Sequence, residues 1–192
     1  MLLCERTDVQ YDLDVLLMTY EKISQSLGKD KWRYKQTALQ YAVNPLSPHT
    51  DACGSFSKRI MPDLGIEKQE EFRHLNPEYK DTIFEEILTK HNAFRTRLMW
   101  RSTQTTYSVH YDMDSWRYHI ALYTNPHAYV IYPKGYRELY LKRKFPPNLT
   151  DAIFHIPADG YVYRMRTDVP HSVANCGKED RLHIAWGSND FL

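Results

Sequence analysis

His110, Tyr111 and Asp112 set an imidazole and a carboxylate two residues apart, and a lone histidine, His171, follows 59 positions after the aspartate. Alternate residues of a strand share a face, so His110 and Asp112 can reach one metal ion from one strand. Two histidines and one carboxylate on one side of a metal form the ligand set of non-haem Fe(II) oxygenases, with open positions for substrate and oxygen. Arg181 lies ten residues beyond His171. A guanidinium binds a carboxylate through two parallel hydrogen bonds and keeps its charge, which suits a dicarboxylic co-substrate such as 2-oxoglutarate.

Each part has a plainer reading. An H-x-D tripeptide occurs by chance in many chains. His171, in Asp168-Val-Pro-His-Ser-Val-Ala-Asn175, also fits a hydrogen-bonded core histidine, and Arg181 also fits a surface ion pair with Glu179 or Asp180. The combination at this spacing is stronger than its parts. His49, His74, His91, His127 and His155 have no partner at ligand spacing and read as structural or surface residues. Asp112 and Asp114 lack the glycine and terminal glutamate of a Ca²⁺ loop.

The elements that must position these groups fall in two halves. Residues 12–27 repeat Leu13, Leu16, Leu17, Tyr20, Ile23 and Leu27 at helical spacing, with Gly28 as the stop. Residues 29–66 carry Pro45, Pro48, Gly54, Pro62 and Gly65 and read as short strands and loops. Asn76-Pro77 reads as a helix start, followed by Ile83, Phe84, Ile87 and Leu88 on one face and a stop near His91-Asn92. From residue 93 the period changes to two. Strands are expected over about 94–102, 105–112, 115–124, 128–132, 152–156, 161–167 and 180–187, with 133–150 a long loop. The alternation groups Ser108, His110 and Asp112; Arg117, His119 and Ala121; and Arg181, His183 and Ala185. The opposite faces carry Trp116, Tyr118, Ile120 and Leu122, and Leu182, Ile184 and Trp186. A solvated strand face normally holds Lys, Glu and Thr, so these His- and Arg-bearing faces are expected to line a pocket while the bulky faces pack on helices.

Composition narrows the classes. The 192 residues are 42% hydrophobic and 26% charged, as in soluble globular chains, and 14% aromatic, which leans towards β structure. That length favours one domain. A net charge of +1 draws the chain to neither nucleic acid nor membrane, and Lys142-Arg143-Lys144 reads as a solvated loop. Cys4, Cys53 and Cys176 are too few and too scattered for a zinc ribbon or a dithiol motif. The opening Met-Leu-Leu-Cys-Glu-Arg is too short an apolar run for a signal peptide, and no stretch approaches a membrane span. A reducing cytoplasm is expected, which also suits ferrous iron.

Two segments resemble the aspartyl/asparaginyl β-hydroxylase family of Fe(II)/2-oxoglutarate oxygenases, proline hydroxylase relatives included. Arg117-Tyr-His119-Ile-Ala-Leu122 matches its R-x-H-x-x-L strand, behind the metal-binding His110. His171-Ser-Val-Ala-Asn175 matches H-x-V-x-N, and Arg181 matches the arginine leading the last strand. The match covers roughly residues 94–188. The resemblance implies a mainly β fold with flanking helices, a double-stranded β-helix (a cupin-like jelly roll) over 93–192 with 1–92 as its support. It also implies Fe(II) on His110, Asp112 and His171, and 2-oxoglutarate held by Arg181 and His119 with Arg117 nearby. The implied reaction hydroxylates an unactivated C–H of an amino acid or peptidyl residue with O₂, leaving succinate and CO₂. A non-catalytic cupin-like binding protein is the alternative. The substrate, the oligomeric state and the role of residues 1–92 are not carried by the resemblance.

Overall fold

Asp12 starts helix α1 (Leu13–Ser24) by accepting from the backbone N–H of Asp14 and Val15 at 2.9 and 3.2 Å. Leu16, Tyr20 and Ile23 form its buried stripe. The helix stops short of Gly28, correcting the expected end. The Ser24 and Ser26 hydroxyls donate back to the carbonyls of Glu21 and Ile23, which competes with helix continuation, and Gly28 instead leads into a short helical turn. Asn76-Pro77 likewise opens only one short turn, Pro77–Tyr79. Asn76 spends its amide on the carbonyls of Ala38 and Pro48, and Thr82 caps the true helix, α2 (Ile83–Lys90).

The computed structural model describes residues 2–32, 35–54, 65–112, 116–133 and 152–190. Asp114, the Lys142–Lys144 run and nearly all of the 133–150 loop lie outside them. Twelve strands are described: β1 (Cys4–Gln10), β2 (Gln36–Ala38), β3 (Gln40–Tyr41), β4 (His74–Leu75), β5 (Ala93–Arg101), β6 (Thr105–Thr106), β7 (Trp116–Tyr123), β8 (Ala128–Tyr132), β9 (Ala152–Phe154), β10 (Tyr161–Arg166), β11 (Ser172–Asn175) and β12 (Arg181–Ser188). One antiparallel sheet runs β1-β10-β7-β12-β5-β2 and a second runs β6-β11-β8-β9, while β3 and β4 form a small ribbon. From β5 to β12 the chain passes back and forth between the two larger sheets. That winding is the double-stranded β-helix, and the described residues are mainly β with two flanking α-helices.

One expected strand needs correcting, and two strands, β11 and β1, were not foreseen. The strand foreseen over 105–112 is only Thr105–Thr106 plus an isolated bridge at His110. The β11 strand gave no alternation because all four of its residues are buried. The β1 strand is broken by a register shift between Arg6 and Gln10, which hid its period.

The face rule holds for the large sheet. Leu98, Ile120, Leu122, Leu182, Ile184 and Trp186 pack outward against Leu16, Tyr20 and Ile23 of α1 and Phe84 and Ile87 of α2. Each such side chain fully buried contributes about 1.5–3 kcal/mol. Arg95 sits within β5 at φ 51°, a strained value for a side-chain-bearing residue. Its buried guanidinium reaches the carbonyls of Ala52 and Gly54 and the amide oxygen of Gln69, tying two loops to the sheet.

His91 closes the outer core. It is 1% exposed, stacks on Trp186 and meets the Tyr11 hydroxyl at 2.6 Å. Burial, with Lys90 adding to it, pulls its imidazole down to about 4. The unfolded chain therefore takes up that proton first as pH falls. Stability is lost from about pH 6.5, the ordinary imidazole value, downward to about 4. Urea midpoints at pH 7, 5.5 and 4.5 are expected to fall less steeply in His91→Phe, which keeps the stack but cannot titrate. Equal slopes in the two proteins would remove His91 as the cause.

Candidate functional site

His110 and His171 meet through the backbone. His110 lies just past β6 and His171 just before β11, and each donates its N–H to the other's carbonyl, at 3.0 and 2.8 Å. This reciprocal pair brings the two imidazole centroids to 4.4 Å. Each ring is then turned by its own chain. The Nδ1 of His110 contacts the carbonyl of Ser108 at 2.8 Å, and that of His171 contacts the carbonyl of Val169 at 3.0 Å. A carbonyl only accepts, so Nδ1 of each ring carries a proton, and in the neutral imidazole the lone pair then sits on Nε2, the atom a metal would use.

Asp112 faces the same space. Its N–H donates to the carbonyl of Thr167 at 2.6 Å, and its carboxylate lies 3.8 Å from Nε of Arg117. Burial works to raise this carboxyl, but Arg117, with His171 and Arg97 beyond it, holds it below the usual carboxylate range. It is therefore an anion at neutral pH.

These groups line a narrow cavity between the sheets, about 50 Å³, together with Arg97, Met99, Tyr107, Arg117, His119 and Met165. A larger cleft, about 740 Å³, lies over Leu17, Trp100 and Leu122 on the outer side of the sheet, away from this chemistry. The small volume suits an ion with a water or two. Met99 and Met165 are unbranched side chains, which give way to a ligand more readily than rigid ones.

Among the described residues, no three His, Cys, Asp or Glu side chains are gathered closely enough to hold a metal ion as they stand. The donor chemistry nonetheless fits a borderline divalent ion: two imidazoles tied at Nδ1, which leaves Nε2 for a metal, and one ionised carboxylate beside them.

The six-stranded sheet supplies the cations. Register pairs Ala185 with both Arg97 and His119, His183 with Met99 and Ala121, and Arg181 with Arg101, so all share the inner face. Arg181 is 5% exposed and donates to Nδ1 of His183 at 2.9 Å rather than lying at the surface. Asp180 is occupied elsewhere, accepting from Trp100 Nε1 and from the Thr103 N–H at 3.0 Å each. Arg181 does not itself line the 50 Å³ cavity; His119 does. Burial, then Arg181 and Arg117, push His119 well below the ordinary imidazole range, so it is neutral. Its Nδ1 is buried with no partner among the described residues, a polar atom left over for a ligand.

Several functional-site neighbours went unnoticed in the sequence. Arg97 lines the cavity, and Gln69 accepts from both Arg95 and Arg117, joining the N-terminal half to the site. The signal for Arg97 was present: Arg95, Arg97 and Arg101 alternate with Leu98 and Trp100 along β5. Gly187 makes room for Arg117, since a Cβ there would sit 2.8 Å from Nη1 and 2.3 Å from the Phe94 ring.

Asn175 has a structural task. Fully buried, it donates to the carbonyls of Arg101 and Glu179 and accepts from Asn125 and the Gly177 N–H. It thereby fixes the turn that delivers Arg181. Asn175→Ala leaves several buried partners unsatisfied and is expected to cost about 2–3 kcal/mol in urea unfolding. A loss under about 0.5 kcal/mol, the usual range for surface changes, would contradict that role.

No family model matches the chain, and no curated protein is detectably similar to it in sequence. Solved structures do resemble it. A non-heme monooxygenase, ThoJ in a nickel complex, aligns over 95% of this chain and 71% of that one at 13% identity and TM-score 0.46. AviO1 from Streptomyces viridochromogenes Tue57 aligns over 99% and 91% at 10% identity and TM-score 0.47. A Pseudomonas putida prolyl-4-hydroxylase aligns over 98% and 93% at 11% identity and TM-score 0.43. The strand order establishes the architecture independently of these likenesses.

Proposed function

We propose that this protein is an Fe(II)- and 2-oxoglutarate-dependent oxygenase, akin to the aspartyl/asparaginyl β-hydroxylases, that hydroxylates an unactivated C–H of an amino acid or peptidyl residue. The observation that carries the reading is the reciprocal His110–His171 pair. Both rings are tied at Nδ1 and free at Nε2, with the ionised Asp112 in the same cavity.

His110, Asp112 and His171 would hold the iron. Iron held there would supply the oxidising chemistry, with 2-oxoglutarate and O₂ consumed to give succinate and CO₂ as R–H becomes R–OH. The chain's own residues orient the reactants. Arg117 steadies the Asp112 carboxylate and keeps it charged. Arg181, fixed by His183, offers the cation for the far carboxylate of the co-substrate. Neutral His119 offers a hydrogen bond without adding another charge to that face. The apolar lining, Met99, Met165 and Val173, limits water around the reacting atoms.

The open arrangement of the three donors favours one other reading, a cupin-like binding protein without catalysis. Anaerobic loading with Fe(II), followed by 2-oxoglutarate and O₂, separates the two. Stoichiometric iron binding and succinate formation are expected, with a gain of one oxygen on a member of an amino acid and peptide panel read by mass spectrometry. Absence of both iron binding and succinate would leave the binding protein as the better account.

A further inference from the structure

Arg101 faces Arg181 directly across the β5–β12 ladder, on the inner side of the sheet. Like charges in opposed positions of a sheet are destabilising, and buried charges are costly without a counter-charge. Neither guanidinium has a carboxylate in ion-pair range among the described residues. Asp180 is turned to Trp100 and Thr103, and Glu179 is exposed. Nε of Arg101 is buried without a partner among the described residues. Burial draws Arg101 down, and burial with Arg101 opposite draws Arg181 down to about 9; a guanidinium nonetheless keeps its charge at neutral pH.

Both guanidiniums are held in place. Cζ of Arg101 lies 3.3 Å from the centroid of the Tyr107 ring, and Tyr107 lines the cavity of His110 and His171. A stacked guanidinium presents its N–H groups in its own plane. Arg181 is anchored through His183 Nδ1. A guanidinium can only donate, so that nitrogen accepts and the His183 proton sits on Nε2, which is also buried and unpartnered among the described residues. One anion between the two arginines would relieve the repulsion and satisfy these donors.

We propose that Arg101 and Arg181 together clamp the far carboxylate of a dicarboxylate co-substrate, and that Arg101 is a specificity-determining residue that selects dicarboxylates over monocarboxylates of the same length. This rests on the reading of Arg181 as the co-substrate cation. 2-Oxopentanoate is the matched probe, since it carries a methyl group where 2-oxoglutarate has its second carboxylate.

The test is calorimetric titration of both acids into Mn(II)-loaded and metal-free protein, for wild type, Arg101→Gln and Arg101→Lys. In Arg101→Gln, 2-oxoglutarate is expected to bind roughly tenfold or more weakly, the effect of losing one charged hydrogen-bond partner. Affinity for 2-oxopentanoate and for Mn(II) should be unchanged, and the melting temperature without ligand should not fall, because a repulsion has been removed. Arg101→Lys keeps the charge but not the planar fork and should recover only part of the affinity; it also carries the test if the glutamine variant fails to fold. Unchanged 2-oxoglutarate affinity, or equal weakening of both acids, overturns the clamp. Mn(II) binding with no dicarboxylate binding by wild type overturns the clamp and leaves the metal centre standing. Arg101-dependent dicarboxylate binding with neither metal binding nor succinate formation supports the clamp and removes the oxygenase reading.

Discussion

Replacing His110 or His171 with alanine is expected to remove most of the affinity for Fe(II) and Mn(II), by more than about a hundredfold. Losing an outer-shell partner of a metal ligand typically costs 10–100-fold, and losing one of three protein ligands costs more. The two variants should retain their fold. The reciprocal bonds between these residues run through backbone atoms, which alanine keeps, and each side chain's other bond is to a carbonyl two residues away. Asp112→Ala should differ. Two imidazoles can retain weak binding, but hydroxylation should be abolished because the third position is lost. Anaerobic titration calorimetry with either ion, with circular dichroism as the folding control, measures all three. Wild-type affinity in both histidine variants would sink the triad.

Arg181→Lys is expected to weaken 2-oxoglutarate about ten- to a hundredfold while iron binding remains. Arg181 is buried, bonded to His183 Nδ1 and faced by a second guanidinium. Its planar fork can hold the imidazole with one N–H and a carboxylate with others, whereas an ammonium is a point charge on a flexible stem. Losing a charge-assisted hydrogen bond costs about 1.5–3 kcal/mol, and about 1.4 kcal/mol is tenfold. The measurement is anaerobic titration of 2-oxoglutarate into the Fe(II) form, followed by charge-transfer absorbance. Equal affinities in wild type and variant would take Arg181 out of the site.

The legibility of this chain followed the range of the interactions involved. Strand alternation is a local property of the backbone, so the sequence alone grouped Arg117 with His119 and Arg181 with His183, and set Ile120, Leu182 and Trp186 on the opposite face. It located both helices through their apolar stripes, and it singled out His110, Asp112 and His171 as candidates. It misjudged where α1 ends because serine hydroxyls turned back onto the helix carbonyls before Gly28 was reached. It passed over β11 because a strand buried on both faces has no period. Pairing is another matter. Which strands lie side by side, and in what register, is set by hydrogen bonds between residues far apart in the chain. Only the tertiary structure could therefore decide that His110 and His171 exchange backbone bonds, that Gln69 reaches Arg117, and that Arg101 stands opposite Arg181 with no acid between them among the described residues.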